Sequence, residues 1–403
     1  MYPHDESNKL IFLISPDDYP GYTGLARRLN CILYAISRSG INAVLIAPKF
    51  FRNSENLGHG GCPFKGIKVE RMDIGWLRSS SRVFRLLMYV FLTFFSIKKM
   101  CKYRRYVTFI QYEDLYTFPI ALLLKMLFRK KIIGDDIASG ALKWHGGLGR
   151  RCLSFISFAL YLFLMKLIFI YSTLVITPSP IIYEWACRNL NIRNIAYVPN
   201  CIPEEHVWTG EKPVVKNQII FVSAFTSSET LLWVKRVLVI AERIYDEGRD
   251  FRLVVVGGPL DKVQCFLDHE LVKRGIVSFT GYVSDEKLRE LYGRSFIGIL
   301  PIFEKLRPSG QEIKALEYFA NGLVVISGPP TTMGFKHLRP GVHYLRADTL
   351  EEMIALIKDC LARPDEYSHI ATEGRKYVLK RFSRDMIAKR YIQLLRKLHP
   401  LSN

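Results

Sequence analysis

Five residues between positions 309 and 317 have the types and spacing of a nucleotide-binding site: Ser309, Gly310, Gln311, Lys314 and Glu317. Ser309 and Glu312 match a capping box, in which two side chains satisfy backbone N–H groups of the first helical turn. The remaining N–H groups of such a turn form a favourable site for a phosphate. Lys314 and Glu317 lie three apart on one helical face, so that a cation and a carboxylate could bind the diphosphate and the ribose of a nucleotide. A capped surface helix with an ion pair is the alternative interpretation.

Two adjacent carboxylates, Asp135 and Asp136, follow a predicted strand at residues 131–134. At a strand end they could bind sugar hydroxyls or take part in proton transfer. A turn or a helix cap made by an Asp side chain is an equally simple interpretation. His145 follows shortly afterwards in a His-Gly-Gly sequence, and it is a candidate for the acceptor side of the same site or an ordinary loop residue.

Two loops add candidates for contact with phosphate groups. Arg307 lies in a Pro-flanked loop before the helix of the first candidate site, and its planar guanidinium matches the geometry of a phosphate. Gly24 ends a loop after the first predicted strand, at residues 10–15, and ligands of open α/β sheets bind at such strand ends. A glycine there allows close approach of the backbone to a ligand. The loop has no G-x-G-x-x-G pattern, so a simple turn is the alternative.

Strand and helix patterns alternate along both halves of the chain, which predicts an α/β protein with two doubly wound parallel sheets. The strands are expected at short, β-branched apolar runs, and the helices at apolar residues with helical spacing. A chain of 403 residues is long enough for two domains of ordinary size. The predicted divisions are an N-terminal domain at 1–203, a linker at 204–216, a C-terminal domain at 217–383 and a final helix at 384–403.

The pattern Gly310-x-x-x-Lys314-x-x-Glu317, with Gly322 and an apolar strand behind it, resembles the donor-site helix of glycosyltransferase family 4, a large retaining family. Many members have two Glu separated by seven residues there. Glu317 matches the second Glu, whereas Ser309 replaces the first. The resemblance covers the chain and is tightest over residues 251–327. It implies the GT-B fold, in which two Rossmann-like domains face each other across a cleft and the last helix crosses back to the first domain.

The resemblance also implies roles for the candidate residues. Glu317 would hold the ribose, Lys314 would neutralise the phosphates, and Asp135 or Asp136 would face the transferred sugar. The further donor-side matches, for the phosphates and for the Gly-rich loop of the first domain, are Lys235, Arg236 and Gly24. The donor would be a nucleotide diphosphate sugar. No metal or other cofactor is implied, because GT-B enzymes generally need none and the sequence has no cluster at metal-ligand spacing.

The charge and the apolar segments predict an anionic partner. The chain has 57 Lys and Arg against 37 Asp and Glu, a net charge of +20. Residues 77–112 have no acid, and their uncharged run at 86–95 is too short to span a bilayer. Basic flanks and an apolar face predict a helix in the membrane interface, with a buried helix as the alternative. Residues 152–177 are the best candidate for a span, but Lys166 interrupts them, so a helix embedded in one leaflet or in the core is favoured.

These observations predict a retaining glycosyltransferase that moves a sugar to a membrane-associated, lipid-linked or glycan acceptor. Scattered cysteines indicate a reducing compartment, so we expect peripheral attachment to the inner, cytoplasmic face of the membrane. Nucleic acid is not expected as a partner, because the basic residues flank apolar helices and do not alternate with aromatic residues. A nucleotide-sugar epimerase of the same architecture, a nucleic-acid-binding protein and a catalytically inactive binding protein are the alternatives. Replacing Glu317 by Ala is expected to weaken nucleotide binding and to leave the fold intact.

Overall fold

The computed structural model describes residues 9–17, 19, 24–49, 62–74, 82–135, 163–304 and 312–398. The chain divides into two compact units, Met1–Asn200 with Arg384–Asn403, and Cys201–Ser383. Each unit has its own parallel sheet and its own buried apolar core. The prediction of two parallel-sheet α/β halves is thereby confirmed. The division lies after residue 200, so that the residues predicted as a linker are part of the second unit.

The first unit is built on a seven-stranded sheet in the order β3-β2-β1-β4-β5-β6-β7, with every neighbouring pair parallel. Its strands are β1 Leu10–Ile14, β2 Asn42–Lys49, β3 Ile67–Asp73, β4 Val107–Glu113, β5 Lys131–Asp135, β6 Leu174–Thr177 and β7 Ile195–Tyr197. All five residues of β1 are buried, as is typical of a parallel strand covered by helices on both faces. The strand order reverses between β1 and β4, so the carboxyl ends of these strands mark a typical ligand-binding position.

The helices of the first unit connect and cover these strands. They are α1 Gly24–Arg38, α2 Arg82–Tyr103, α3 Phe118–Phe128, α4 at residues 163–171, α5 Pro180–Asn189 and, from the end of the chain, α14 Arg384–Leu398. Helix α14 packs on α1. Of the segment predicted as the best candidate for a span, residues 152–162 lie outside the described residues and the rest forms α4 and β6. Among the helices that the structure describes, none combines the length and the apolar character needed to cross a membrane.

The second unit has a six-stranded parallel sheet in the order β10-β9-β8-β11-β12-β13. Its strands are β8 Val215–Val222, β9 Arg252–Val256, β10 Val277–Phe279, β11 Ser295–Leu300, β12 Val324–Ser327 and β13 Leu345–Arg346. Its helices are α6 Ser228–Asp246, α7 Gln264–Leu267, α8 Glu270–Lys273, α9 Asp285–Arg294, α10 Ile313–Ala320, α11 Pro329–Thr332, α12 Leu350–Ala362 and α13 Pro364–Phe382. The strand order reverses between β8 and β11.

The helix α10 carries the predicted donor-site motif, and its two ends differ in how well they were predicted. Gly322 follows the helix with φ +62°, in the left-handed region that a glycine adopts without strain, as predicted. The start differs, because α10 begins at Ile313 and Glu312 is its N-cap. Glu312 therefore does not occupy the third helical position that the predicted capping box requires, and its side chain makes no cap hydrogen bond. That prediction is wrong for Glu312.

Candidate functional site

Glu317 is the centre of a buried hydrogen-bonded group in the second unit. Its side chain is fully buried in α10. The hydroxyl of Tyr292, from α9, donates to Glu317 Oε2 at 2.7 Å, and Nδ1 of His206 lies 2.9 Å from Oε1. Both carboxylate oxygens therefore have protein partners, as the burial of a charged group requires.

His206 connects Glu317 to a second carboxylate. Its Nε2 lies 2.8 Å from Oδ1 of Asp285, the first residue of α9, and the ring is almost completely buried. The two contacts are both hydrogen bonds only when each ring nitrogen carries a hydrogen, because a carboxylate can only accept. The group thus joins the short turn Glu204–His206 to α9 and α10 through one imidazole.

Asn321 fastens the same turn to the end of α10. Its Oδ1 accepts from the backbone N–H of Trp208 at 2.8 Å, and its Nδ2 donates to the backbone oxygens of His206 at 3.0 Å and Glu317 at 2.9 Å. The residue is fully buried, so each of these bonds replaces water that the site excludes. The position of His206 beside Glu317 is therefore fixed from both sides.

This environment changes what Glu317 can do in the observed conformation. A ribose could reach the carboxylate only after His206 or Tyr292 moves, because these two side chains occupy its oxygens. The ribose role remains a prediction. The expectation that Glu317→Ala would leave the fold intact is inconsistent with these contacts, since alanine would leave two buried donors without their acceptor.

The sequence analysis did not identify His206, Tyr292 or Asp285. Their partners are distant in the sequence, with His206 lying 111 residues from Glu317 and 79 from Asp285. A lone histidine in a polar segment has no spacing that would single it out, and only the pairing of α9 with the turn before β8 brings it to the carboxylates.

The three cations of the second unit that were predicted to bind phosphate have different environments. The Nζ of Lys314 lies 4.7 Å from the centroid of the Trp233 ring, a cation–π contact. Lys235 is exposed on α6. Arg236 Nη1 donates to Glu304 Oε1 at 2.7 Å and to the backbone oxygen of Pro301 at 2.9 Å, at the carboxyl end of β11. Arg236 therefore lies at the reversal point of this sheet with a carboxylate already bound to it.

Asp135 lies at the carboxyl end of β5 in the first unit and is fully buried. Arg28 of α1 contacts its Oδ1 through Nε at 2.7 Å and Nη2 at 2.5 Å. The Nη1 of Arg28 donates to Oδ1 of Asn200 and to the backbone oxygen of Val198, each at 3.0 Å. The guanidinium thus neutralises the buried carboxylate and fixes its position, which the sequence did not indicate.

Glu113 is a second buried carboxyl group, at the carboxyl end of the neighbouring strand β4. No residue in the described part of the chain donates a hydrogen bond of good geometry to either of its carboxylate oxygens. Burial raises its pKa well above the usual value, and the nearby charge of Asp135 raises it further, while Ser15 and Arg28 lower it in part. Burial and the neighbouring carboxyl group of Asp135 therefore both favour the protonated form of Glu113.

Several predicted residues lie outside the described residues: Asp136, His145, Arg307, Ser309, Gly310 and Gln311. Gly24 is described and is the exposed first residue of α1. Among the described residues, no group of three or more His, Cys, Asp or Glu could hold a metal ion.

Residues 216–363 match a family model described as "Glycosyl transferases group 1". No curated protein matches the chain significantly. Sucrose-phosphate synthase from Thermosynechococcus elongatus is similar in structure over 98% of this chain and 100% of its own, with 16% identity and a TM-score of 0.78. Anabaena HepE in complex with UDP and glucose is similar over 97% and 100%, with 13% identity and a TM-score of 0.67. WaaG, a glycosyltransferase involved in lipopolysaccharide biosynthesis, is similar over 96% and 100%, with 12% identity and a TM-score of 0.62.

Proposed function

We propose that this chain is a group 1 glycosyltransferase that transfers a sugar from a nucleotide diphosphate sugar to an acceptor at a membrane surface. Its residues 216–363 match the group 1 family model, and its fold is that of GT-B glycosyltransferases. The observation that carries the proposal is the family match over residues 216–363, which contain Lys235, Arg236, Lys314 and Glu317. The ligands named for HepE, UDP and glucose, are of the class that we infer for this donor site.

On the donor side, Glu317 accepts hydrogen bonds from the ribose hydroxyls after a neighbouring donor has moved away. Lys314 supplies positive charge to the diphosphate from its position over Trp233. The exposed Lys235 adds to this charge, and Arg236 does so once a phosphate oxygen replaces Glu304 as its acceptor. The proposal also includes Gly24 at the start of α1 and four donor-side residues that lie outside the described residues: Arg307, Ser309, Gly310 and Gln311.

The transfer proceeds with retention of the anomeric configuration. The bond between C1 of the sugar and the diphosphate oxygen breaks, and the acceptor oxygen bonds to C1 on the same face. The acceptor proton passes to the departing diphosphate, so the reaction needs no side-chain nucleophile. The cations and the N-terminal end of α10 stabilise the charge that develops on the diphosphate. Asp135 orients the sugar from the end of β5, where Arg28 holds its carboxylate.

The acceptor is lipid-linked or a glycan at the membrane, and the surface of α2 supports this part of the proposal. Five large apolar side chains of α2 are exposed: Leu86, Leu87, Val90, Phe91 and Phe94. Exposed Lys98, Lys102, Arg104 and Arg105 follow them. An apolar face beside a basic segment is typical of a helix that lies in a membrane interface with anionic lipids.

The first experiment identifies the donor. Nucleoside diphosphates and their sugars are screened for an increase in the melting temperature of the purified protein, which a ligand of the folded state produces by mass action. A nucleoside diphosphate and its sugar should both stabilise the protein. If no nucleoside diphosphate or nucleotide sugar shifts the melting temperature, the proposed donor class is wrong.

The second experiment separates transfer from the alternative activities. The stabilising sugar nucleotide, radiolabelled in the sugar, is incubated with the protein and a membrane lipid extract. Label should move into the lipid phase with release of the nucleoside diphosphate. Conversion of the sugar nucleotide without any acceptor would instead indicate an epimerase, and binding without turnover in every extract would indicate an inactive binding protein.

A further inference from the structure

A basic pocket lies in the first unit at the amino end of β5, whereas Asp135 lies at the carboxyl end of the same strand. It has a volume of about 400 Å³ and is lined by Leu122, Lys125, Met126, Arg129, Lys130, Lys131, Tyr171 and Thr173. Lys131 is the first residue of β5 and Asp135 the last, so they lie roughly 13 Å apart at about 3.3 Å per residue. The pocket is therefore separate from the candidate sugar site of this unit.

Four of the eight lining residues are cations, and none is acidic. Two of these cations bind carboxyl ends of helices: Lys125 Nζ donates to the backbone oxygen of Tyr171 at 2.6 Å and Lys131 Nζ to that of Leu398 at 3.2 Å. An ammonium has three donors, so each retains donors for a ligand. Within the described residues, the side chains of Arg129 and Lys130 make no hydrogen bond or ion pair.

The charge of the pocket exceeds what the helix ends require. The carboxyl ends of α3, α4 and α14 lie at this pocket or against its lysines, and each carries a partial charge of about −0.5. Together they offset about 1.5 of four unit positive charges. The helix ends therefore compensate fewer than half of the four positive charges. The positive charge that is left can bind a phosphate group.

Exposed apolar side chains occur at and next to the lining residues, and we call Met126, Leu127 and Ile170 the rim of the pocket. Met126 lines the pocket and is 71% exposed. Leu127 and Ile170, the sequence neighbours of the lining residues Met126 and Tyr171, are 55% and 64% exposed. A soluble phosphate compound gains nothing from such a rim, and a nucleic acid would favour polar and aromatic groups. Apolar side chains next to cations match a bilayer, where the phosphate layer borders the acyl chains.

We propose that this pocket binds the phosphate group of an anionic membrane lipid, with Arg129 and Lys130 as the principal ligands and Lys125 and Lys131 as supporting donors. Met126, Leu127 and Ile170 insert among the acyl chains, and Tyr171 lies at the level of the headgroups. The argument for this pocket uses neither the apolar face of α2 nor the donor site. The proposal therefore holds even if the chain uses another donor or acceptor.

The test compares two double variants of the full chain that lose the same charge. Arg129→Gln with Lys130→Gln neutralises the pocket, and Lys273→Gln with Lys380→Gln neutralises two exposed lysines of the second unit. Binding to phosphatidylcholine vesicles with and without phosphatidylglycerol is measured by flotation at physiological ionic strength. The pocket variant should bind the anionic vesicles at least tenfold more weakly than the wild type, and the control variant should stay within about twofold, because a general loss of charge affects both variants alike. Equal weakening in the two variants overturns the proposal.

Two further measurements decide the nature of the ligand. Met126→Gln with Ile170→Gln, which keeps all four cations, should also weaken binding to the anionic vesicles, because the rim then no longer enters the acyl region. Unchanged binding of this variant overturns the lipid assignment. The assignment is also wrong if the pocket variant loses affinity for inorganic phosphate in solution but floats with the vesicles like the wild type. The donor screen on the pocket variant should match that of the wild type, so that failure of this site is distinguishable from failure of the proposed function.

Discussion

Glu113 and Asp135 show how burial and pairing set the charge of two carboxyl groups on adjacent strands. Arg28 compensates Asp135, whereas nothing among the described residues compensates a charge on Glu113 in the same way. The raised pKa of Glu113 means that the folded chain keeps a proton that the unfolded chain releases above its ordinary pKa of about 4.3. Stability therefore falls as the pH rises from that value towards the folded pKa, by about 1.4 kcal/mol per pH unit for one proton.

We expect Glu113→Gln to remove this loss, because glutamine has similar size and no proton to release. The variant and the wild type should have similar free energies of unfolding near pH 4.5, and the variant should be increasingly more stable towards pH 8. Denaturant titrations of both proteins across this range provide the measurement. A difference that does not change with pH, or that favours the wild type at high pH, would mean that Glu113 is ionised in the fold.

At Glu317, a pair of variants distinguishes a contact with the ligand from a structural role. Tyr292→Phe removes one donor but keeps the carboxylate and leaves Oε2 open to a ligand. The protein should therefore lose about 1 to 3 kcal/mol of stability and bind the nucleoside diphosphate at least as tightly as the wild type. Glu317→Gln keeps the volume but removes the charge, so the dissociation constant should rise about tenfold or more if the ribose binds here. Calorimetric titration of both variants gives the comparison.

A ligand without the ribose 2′-hydroxyl is the control for this prediction. The 2′-deoxy nucleotide should bind the wild type more weakly than the ribonucleotide, and Glu317→Gln should reduce that difference, since the hydroxyl and the carboxylate belong to one interaction. Equal affinity of the wild type for both nucleotides would show that Glu317 does not hold the 2′-hydroxyl, and would leave it as the anchor of His206.

At the scale of the element, α2 is apolar on two faces with different partners. Met88, Leu92 and Met100 are buried in the core of the first unit, at intervals of four and eight residues. Leu86, Val90 and Phe94 repeat at the same spacing on the exposed face. A helix that is apolar on nearly all sides is expected inside a protein or in contact with lipid. The buried face explains why the helix forms, and the exposed face needs another partner.

Replacing Leu86 and Phe94 by Ser should release the protein from anionic vesicles without unfolding it, because each side chain is 67% exposed. Flotation measures the release, and the melting temperature measures the fold. Phe95 is a matched control at an adjacent position, since it packs against the core and its replacement by Ser should lower the melting temperature. Undiminished flotation of the Leu86 and Phe94 variant would exclude this face as the membrane contact.

At the scale of the whole molecule, the first unit depends on the last helix of the chain. Helix α14 packs on α1, and the hydroxyl of Tyr391 donates to the buried Oε1 of Gln111 in β4. A chain that stops at Ser383 would leave the buried face of α1 uncovered and Gln111 without this donor. We expect such a chain to lose hydrogen-exchange protection in α1 and β4, while peptides of the second sheet keep theirs.

The comparison is with the full chain under identical conditions. Equal protection of α1 and β4 in both proteins would mean that the first unit is complete without α14. Loss of protection in both units would mean that they unfold together rather than as the two compact units into which the contacts divide the chain.

The sequence by itself determined the class of fold and the helix and strand that follow the predicted donor motif, Ile313–Ala320 and Val324–Ser327. Buried parallel strands require continuous β-branched runs, and the helices between them require apolar spacing, so both patterns are local and visible in one dimension. Gly322 was predictable for the same reason, because a left-handed residue after a helix is a local requirement. The basic, apolar character of α2 was also visible, although not which of its faces is exposed.

Only the tertiary structure decided which side chains meet at the two candidate sites. Arg28 reaches Asp135 across 107 residues, and His206 lies between carboxylates that are 79 and 111 residues away. Sequence patterns record the period of an element, whereas a hydrogen bond depends on the register and packing of separate elements. For this reason the raised pKa of Glu113 and the burial of Glu317 follow from how the strands and helices pack together, which no local pattern encodes.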